Sequence, residues 1–436
     1  MPLRSQAHLA LAHLRRGAAC LGVLLPALAW AQAPAVAALQ VQAQAQVAPM
    51  LSSIKDMVSI ESGSRDLEGL EQMAKFIAGR LQTAGMAVQR IPAKAPDFHP
   101  QLQGAKMGDM VYATRTGTGK RKVLLIAHMD TVYTRGMAAK QPFRVDGDKA
   151  YGLGIADDKG GVALILHTVE LLEKMGWRDY AQLGVLINGD EEAGSPGSGA
   201  TITQKGSEYD AVLSFEGGGG TQDMLRLATS SIAIVEIKVT GRASHAGSSP
   251  ERGRNALYEM AHQVMKSRNF GDPAKDLKIN WTIATAGETR NVIPATASAI
   301  ADVRSLSNED LDLMETALRN SIKDKLIPDT TIELSFYRSR PAFVANAVSR
   351  VMADHAKSVF EDMGLKIDIR DRATGGGTDA AFAGLRPRGG VLESFGPRGG
   401  GAHSNDDEYI FVSSLAPRLT LATRMVMDIG SGALKW

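Results

Sequence analysis

The chain has almost no cysteine and few aromatic side chains. It holds one cysteine in 436 residues, Cys20, and aromatic residues make up 5% of it. That cysteine lies in the extreme N-terminal segment, so the rest of the chain has no disulfide and no thiol chemistry. Any metal site there must use His, Asp and Glu.

An excess of charge of one sign is also lacking. The formal net charge is +2, from 49 basic and 47 acidic residues mixed along the chain. This balance excludes an extended basic face, so we expect no nucleic-acid partner. Beyond residue 30 no apolar run reaches the length of a membrane span, so we expect a soluble protein with no membrane partner.

The N-terminus differs from the rest of the sequence. Arginines at positions 4, 15 and 16 precede an apolar run from Gly17 to Trp30. Small residues follow the run at spacings typical of signal cleavage. This pattern predicts a cleaved secretory signal peptide over residues 1–31 and a secreted or periplasmic protein. A buried N-terminal helix is the alternative.

Short apolar strands alternate with helices in two parts of the chain, 32–229 and 341–436. Lys122–Ala127 and Leu183–Ile187 are two of these strands, and a helical pattern covers Ser53–Gly85. The alternation predicts an α/β domain with a mostly parallel sheet.

The pattern between residues 230 and 340 is different. Apolar and polar residues alternate from Val235 to Thr240, as in a half-exposed strand. The predicted order of elements is β-α-β-β-α-β, which is the split-βαβ, ferredoxin-like layout. We therefore expect a small α+β domain at 230–340, inserted into the α/β domain.

Polar clusters follow the strands of the α/β part, where sites of such domains lie. The residues they supply are His128 and Asp130 after one strand, Asp157 in a glycine-rich turn, Glu191 and Glu192 in a run of three acids, Glu216 after another strand, and His403 in a late glycine-rich stretch. Each cluster alone also fits a structural role.

Taken together, the clusters supply two histidines and several carboxylates without cysteine. That set of nitrogen and oxygen ligands is typical of a catalytic rather than a structural zinc centre. Asp130 lies on the same side of the chain as His128 in extended geometry, where its carboxylate can orient a metal-bound imidazole.

The chain resembles the zinc aminoacylase/carboxypeptidase family in five motifs: His128-x-Asp130, Asp157-x-Lys159-Gly160, Asp190-Glu191-Glu192, Ser214-Phe215-Glu216 and the late His403. The resemblance covers nearly all of the chain after the N-terminal segment. It implies a catalytic domain of the zinc exopeptidase type, an inserted dimerisation domain and a homodimer. The resemblance is strongest to bacterial members of the family that release a C-terminal glutamate.

The resemblance implies two Zn²⁺ ions per subunit, held by bridging Asp157, by His128 and Glu216 on one ion, and by Glu192 and His403 on the other. Glu191 is then the general base, which takes a proton from the attacking water and passes it to the leaving nitrogen. The resemblance also implies a cis peptide bond between Asp157 and Asp158.

Further residues are placed near the substrate by the resemblance. His245, in the inserted domain, would hold the oxyanion or a substrate carboxylate, and in a dimer it would reach the site of the other subunit. Asn291, Arg304 and Arg340 would lie against the substrate, and arginine suits bidentate binding of a carboxylate. Gly376 would lie in a flexible loop that faces the substrate. A turn histidine and solvated arginines are the alternatives.

Three hypotheses for function remain at this point. The first is a metallocarboxypeptidase that releases glutamate from folate-like, N-acyl or peptide substrates, all of them small molecules or short peptides. The second is an aminoacylase or dipeptidase of broader specificity with the same metal site. The third is a binding protein without activity, against which the presence of all five ligands and Glu191 argues. The run Gly217–Gly220 departs from the family's pattern and leaves the side-chain preference open.

Overall fold

The structure, a computed structural model, describes residues 33–94, 104–404 and 406–436. The predicted signal peptide at 1–31 lies outside the described residues. Within them, no helix has both the length and the apolar character needed to cross a membrane.

The α-helices in the described ranges are α1 Val36–Ala45, α2 Val47–Val58, α3 Leu67–Thr83, α4 Gly160–Lys174, α5 Gly199–Glu208, α6 Ala256–Ser267, α7 Asn308–Ser321, α8 Ala347–Asp362, α9 Ala380–Ala383 and α10 Leu415–Ser431. The strands there are β1 Ala87–Ile91, β2 Gly108–Thr116, β3 Lys122–His128, β4 Arg144–Asp146, β5 Lys149–Tyr151, β6 Gln182–Gly189, β7 Ala211–Ser214, β8 Met224–Arg226, β9 Ala228–Thr229, β10 Ser231–Thr240, β11 Lys278–Ala286, β12 Thr296–Ser305, β13 Thr331–Arg340, β14 Phe343–Val344, β15 Asp368–Arg370, β16 Gly390–Leu392, β17 Gly399–Gly400 and β18 Tyr409–Phe411.

The central sheet has the strand order β1-β2-β6-β3-β7-β16. Strands β6, β3, β7 and β16 are parallel, and β2 runs against both of its neighbours. Helices α4, α10 and α5 pack on β3, which explains why the strand is a continuous apolar run. The predicted α/β fold with a mostly parallel sheet is confirmed, and β3, β6 and β7 end at one edge of it.

A second sheet is antiparallel throughout, with the order β11-β12-β10-β13. Its elements follow one another as β10-α6-β11-β12-α7-β13, which is the ferredoxin-like layout predicted for this part of the chain. Apolar side chains of α6 and α7 form two small cores against one face of the sheet. The other face carries Ile232 and Ile234 toward a cleft between the two sheets. Dimerisation through this part of the chain, and the domain limits at 230 and 340, stay predictions.

The single helical stretch expected from Ser53 to Gly85 is wrong in its middle. Helix α2 ends at Val58 and α3 begins at Leu67, with a loop between them. Asp66 caps α3 by accepting a hydrogen bond from the Gly69 amide. Gly63 packs so closely on the Tyr133 carbonyl that an added Cβ would lie 2.4 Å from that oxygen. The helical spacing of apolar residues continues across this loop in the sequence and predicted one helix. The cap at Asp66 and the close packing of Gly63 break the helix there.

Candidate active site and metal centre

The predicted ligands meet at the edge of the central sheet where the parallel strands end. His128 is the last residue of β3. Glu191 and Glu192 lie in a short helical turn after β6, and Glu216 follows β7 by two residues. Asp157 lies in an irregular turn just before α4, and its peptide bond to Asp158 is cis.

Asp157 lies between the two histidines. Its Oδ1 is 3.0 Å from His128 Nε2, and its Oδ2 is 3.4 Å from His403 Nε2. Glu216 Oε1 is 3.5 Å from His128 Nε2, and Glu192 Oε2 is 3.2 Å from His403 Nε2. The five residues therefore form two groups that share Asp157, one oxygen facing each group.

These separations fit the geometry of a zinc site. Zinc bonds to nitrogen and oxygen are about 2.0–2.2 Å long, so two ligand atoms at a tetrahedral angle are about 3.4 Å apart. One carboxylate oxygen of Glu192, Oε1, is buried and has no hydrogen-bond partner among the described residues, as expected of a group that a cation completes. The donor set, with nitrogen and oxygen and no sulfur, is that of a catalytic centre.

Carboxylates around the two histidines raise the pKa of each imidazole. Hydrogen bonds to Asp157 and Glu192 raise the pKa of His403 to about 10. Burial lowers the pKa of His128, but Glu216 and two aspartates outweigh that effect and raise it well above the usual value. Without metal, both shifts favour the cationic form of the imidazole, which partly neutralises the acids around it.

Glu191 is bound by Arg340. Arg340 Nη1 donates to Glu191 Oε1 at 2.5 Å, and its Nη2 donates to the Glu191 main-chain carbonyl at 2.6 Å. Both side chains are buried. Burial raises the pKa of Glu191, and the charge of Arg340 opposes that rise. An oxygen of Glu191 also lies within 4.8 Å of ligand atoms of His128 and Glu216, so its carboxylate is within reach of a reacting group held there.

Asp130 lies behind the ligands, fully buried. Its Oδ1 is 3.3 Å from His128 Nδ1. It also accepts hydrogen bonds from the Glu191 and Glu192 amides, both at 3.1 Å, and from the Ser64 hydroxyl. One carboxylate therefore orients a ligand on β3 and fixes the turn after β6. Asp130 is a positioning residue.

A further buried acid, Glu408, was not found by sequence reasoning. Its carboxylate accepts hydrogen bonds from the amides of Gly154, Ala156 and Asp157 at 2.9, 2.8 and 3.1 Å. The Tyr133 hydroxyl donates to it at 2.6 Å. Glu408 thus holds the turn that presents Asp157. The sequence signal was weak, because Glu408 follows two exposed aspartates and reads as part of a solvated run.

A cleft of about 1310 Å³ opens above the ligands, between the two sheets. Arg304, Arg340 and Gly376, which were predicted to lie near the substrate, are among the residues that line it. Arg304 donates to Asp302 and to the Gly375 carbonyl, and Arg340 donates to the Gly377 carbonyl. Both arginines therefore also fix the loop at residues 375–377.

His245 and Asn291 lie apart from this cleft. They are neighbours in turns at one end of the second sheet, where the Ala246 amide donates to the Asn291 carbonyl. Both side chains are exposed, and neither is among the residues that line the cleft. The amides of Gly247 and Ser248 donate to His245 Nδ1, each at 3.1 Å. Within one chain, the structure does not bring these two residues to the candidate metal centre.

Comparison with known proteins agrees with this geometry. Residues 124–428 match peptidase family M20/M25/M40. The chain is 43% identical over 383 residues to carboxypeptidase G2 of Pseudomonas sp. (strain RS-16), across 88% of this chain and 90% of that protein. It is 26% identical over 383 residues to succinyl-diaminopimelate desuccinylase of Methylorubrum extorquens (strain PA1), across 81% of this chain and 92% of that protein.

Solved structures show the same fold. The di-peptidase Dug1p from Saccharomyces cerevisiae superposes with a TM-score of 0.72 at 15% identity, across 90% of this chain and 98% of that chain. The family match and the 43% identical relative both extend over the strands that carry the candidate ligands. This chain therefore belongs to peptidase family M20/M25/M40 and is a metallocarboxypeptidase.

Proposed function

We propose that the enzyme holds two zinc ions and hydrolyses the amide bond to a C-terminal glutamate in folate-like, N-acyl or peptide substrates. The observation that carries the proposal is the position of Asp157, with one oxygen toward each histidine. Support for a carboxypeptidase comes from the relative named carboxypeptidase G2. Arginines along the cleft suit a substrate that carries carboxylates.

The ligands divide in a way that suits two cations. His128 and Glu216 would hold one ion, Glu192 and His403 the other, and Asp157 both. Two zinc ions, when bound, supply an acidified water molecule and a polarised scissile carbonyl. Asp130 and Glu408 keep His128 and Asp157 in position through the hydrogen bonds described above.

Glu191 is the group that moves protons. Burial raises its pKa, which suits a carboxylate that must accept a proton from water and later release it. The charge of Arg340 opposes that rise in pKa, and its hydrogen bond to Oε1 fixes the side chain. Glu191 takes the proton of the attacking water and donates it to the leaving nitrogen, so that glutamate leaves as a free amine.

We also propose a homodimer in which His245 serves the site of the partner subunit. Nδ1 of His245 accepts hydrogen bonds from two amides, so the neutral ring carries its proton on Nε2. That N–H could then stabilise an oxyanion or a carboxylate. Since His245 does not line the cleft of its own chain, a second subunit would supply it.

A signal peptide at 1–31 would place the enzyme in the periplasm or outside the cell. The arginines followed by an apolar run support this proposal. N-terminal sequencing of the exported protein tests it, and a mature chain that still begins at Met1 would contradict it.

An aminoacylase or dipeptidase of broader specificity is the second candidate. Gly217, Gly219 and Gly220 line the cleft next to Glu216, and a wall of glycines leaves room for varied side chains. A substrate panel separates the two candidates: N-benzoyl derivatives of glutamate, alanine and leucine are offered to the zinc-loaded enzyme. We expect kcat/KM for glutamate to exceed the others by at least tenfold. Equal rates would favour broader specificity.

A further inference from the structure

Arg226 lies at the end of β8 and lines the cleft on the Glu216 side of the ligands. Its Nη1 donates to the Gly217 carbonyl at 3.2 Å and to the Ser394 hydroxyl at 2.5 Å. Gly217 directly follows the proposed ligand Glu216. The guanidinium is therefore held against Gly217, the residue that follows the proposed metal ligand.

Four other arginines line the cleft. Three of them are neutralised by acids: Arg135 by Asp66 and Glu68, Arg304 by Asp302, and Arg340 by Glu191. Arg226 differs from them. In the part of the chain that the structure describes, the hydrogen-bond acceptors of its guanidinium are a carbonyl and a hydroxyl, both neutral.

The buried acid Glu393 is a neighbour of Arg226, whose main-chain amide donates to the Glu393 carbonyl at 3.1 Å. In the described residues, the Glu393 carboxylate is not an acceptor of the Arg226 guanidinium. A half-buried arginine held by neutral groups at the wall of a cleft suits an anion that arrives with the substrate.

We propose that Arg226 binds the side-chain carboxylate of the C-terminal glutamate, an assignment that rests on the proposed function. A C-terminal glutamate brings two carboxylates into the cleft, and its side-chain carboxylate is two carbons farther from the scissile nitrogen than its α-carboxylate. The side-chain carboxylate therefore reaches farther from the reacting group, to a wall of the cleft such as the one that Arg226 lines. Arg304 and Arg340 are already paired with Asp302 and Glu191, whereas the acceptors of Arg226 are neutral. Arg226 therefore determines specificity for an acidic C-terminal residue.

The test compares N-benzoyl-glutamate with N-benzoyl-glutamine, which have nearly the same shape and differ in charge. Loss of a charge-assisted hydrogen bond typically costs a factor of about 10–100. We expect Arg226→Gln to lower kcat/KM for the glutamate substrate by that factor, mainly through KM, and to change the glutamine substrate less than about threefold. Inhibition by free glutamate weakens in parallel, which reports binding without turnover. Arg226→Lys, which keeps the charge, retains most of the preference.

Arg135→Gln is the matched control, because it removes the same charge from the rim of the cleft, where acids already neutralise it. It should leave the glutamate preference unchanged. An equal loss for both substrates in Arg226→Gln, or no loss, overturns the assignment. Tm of each variant separates misfolding from specificity. If the wild-type enzyme does not prefer the glutamate substrate over the glutamine substrate, the proposed function is contradicted. If the wild type has this preference and Arg226→Gln keeps it, only the role of Arg226 is contradicted.

Discussion

Arg340 joins the second sheet to the proposed catalytic base. It is the last residue of β13, and it donates hydrogen bonds to both the carboxylate and the main-chain carbonyl of Glu191. The sequence resemblance placed Arg340 against the substrate. The structure places it against Glu191 as well, in a buried ion pair whose positive member favours the ionised carboxylate.

Removing the charge of Arg340 should move the acid limb of the pH profile. Arg340 lowers the pKa of Glu191, so Arg340→Met raises that pKa. Because catalysis requires the carboxylate, activity is then lost at higher pH than in the wild type. We expect the acid limb of kcat/KM to shift upward by about one unit or more. Profiles between pH 5 and 9 measure it.

Arg338→Gln is the control for this shift. Arg338 lies two residues earlier on the same strand, and its partners are Asp312 and Glu315. Its removal should leave the acid limb in place. An unchanged limb in a folded Arg340→Met protein would show that the ion pair does not set the pKa of the base.

Glu408→Gln should weaken zinc binding. Both oxygens of Glu408 accept hydrogen bonds, mainly from amides of the turn that carries Asp157, and an amide group would place a donor against those donors. Loss of such a supporting residue typically lowers metal affinity by about 10–100-fold. Competition with a chelator measures the change, and excess zinc should restore activity. Asp407→Asn, an exposed neighbour, is the control. Equal zinc affinity in both variants would remove Glu408 from this role.

Zinc binding should release protons and weaken as pH falls. Carboxylates raise the pKa of His403 to about 10 and raise that of His128 as well, so both rings are protonated at neutral pH without metal. Each must lose its proton to bind zinc. We expect release of about two protons or more as both ions bind at pH 7, because burial also raises the pKa of Glu192 to about 7 and this ligand must lose its proton as well. Calorimetry in buffers of different ionisation enthalpy measures the number. Heats independent of the buffer contradict this account.

The clusters that contain the candidate metal ligands could be found in the sequence because strand ends and glycine-rich turns are local features, and the family resemblance assigned the ligand roles. His128 ends an apolar strand, Glu192 and Glu216 each follow one, and parallel strands bring such residues to one edge. The ferredoxin-like layout was equally readable, since Val235, Ile237 and Val239 are buried and Lys238 and Thr240 are exposed, with buried Glu236 the exception. These elements depend on periodicity, which a single sequence shows directly.

The missed parts depend on contacts between distant segments. Glu408 meets residues 154–157 only in the folded chain, and nothing near Glu408 in sequence signals that contact. The ion pair of Arg340 with Glu191 spans 149 positions. The loop before α3 is fixed by Gly63 against Tyr133, which lies beside the metal ligands. Local patterns could not report these tertiary contacts.

Mixing two inactive variants should restore activity if His245 serves the partner subunit. In a hybrid dimer of His245→Ala and Glu191→Gln chains, one site has Glu191 from one chain and His245 from the other. Random exchange at equal amounts makes half of the dimers hybrid, each with one intact site, so about a quarter of wild-type activity should return. No recovery after confirmed exchange, or a monomer by light scattering, would contradict the shared site.

The role of Glu191 at a two-zinc centre is the central claim. The most direct test is kcat of the Glu191→Gln variant on N-benzoyl-glutamate, determined on protein whose zinc content is measured in the same sample. We expect two zinc ions per chain and a kcat about 10²–10⁴-fold below the wild type, because the ligands remain and the proton acceptor is lost. A zinc-loaded variant that keeps wild-type kcat would contradict the mechanism.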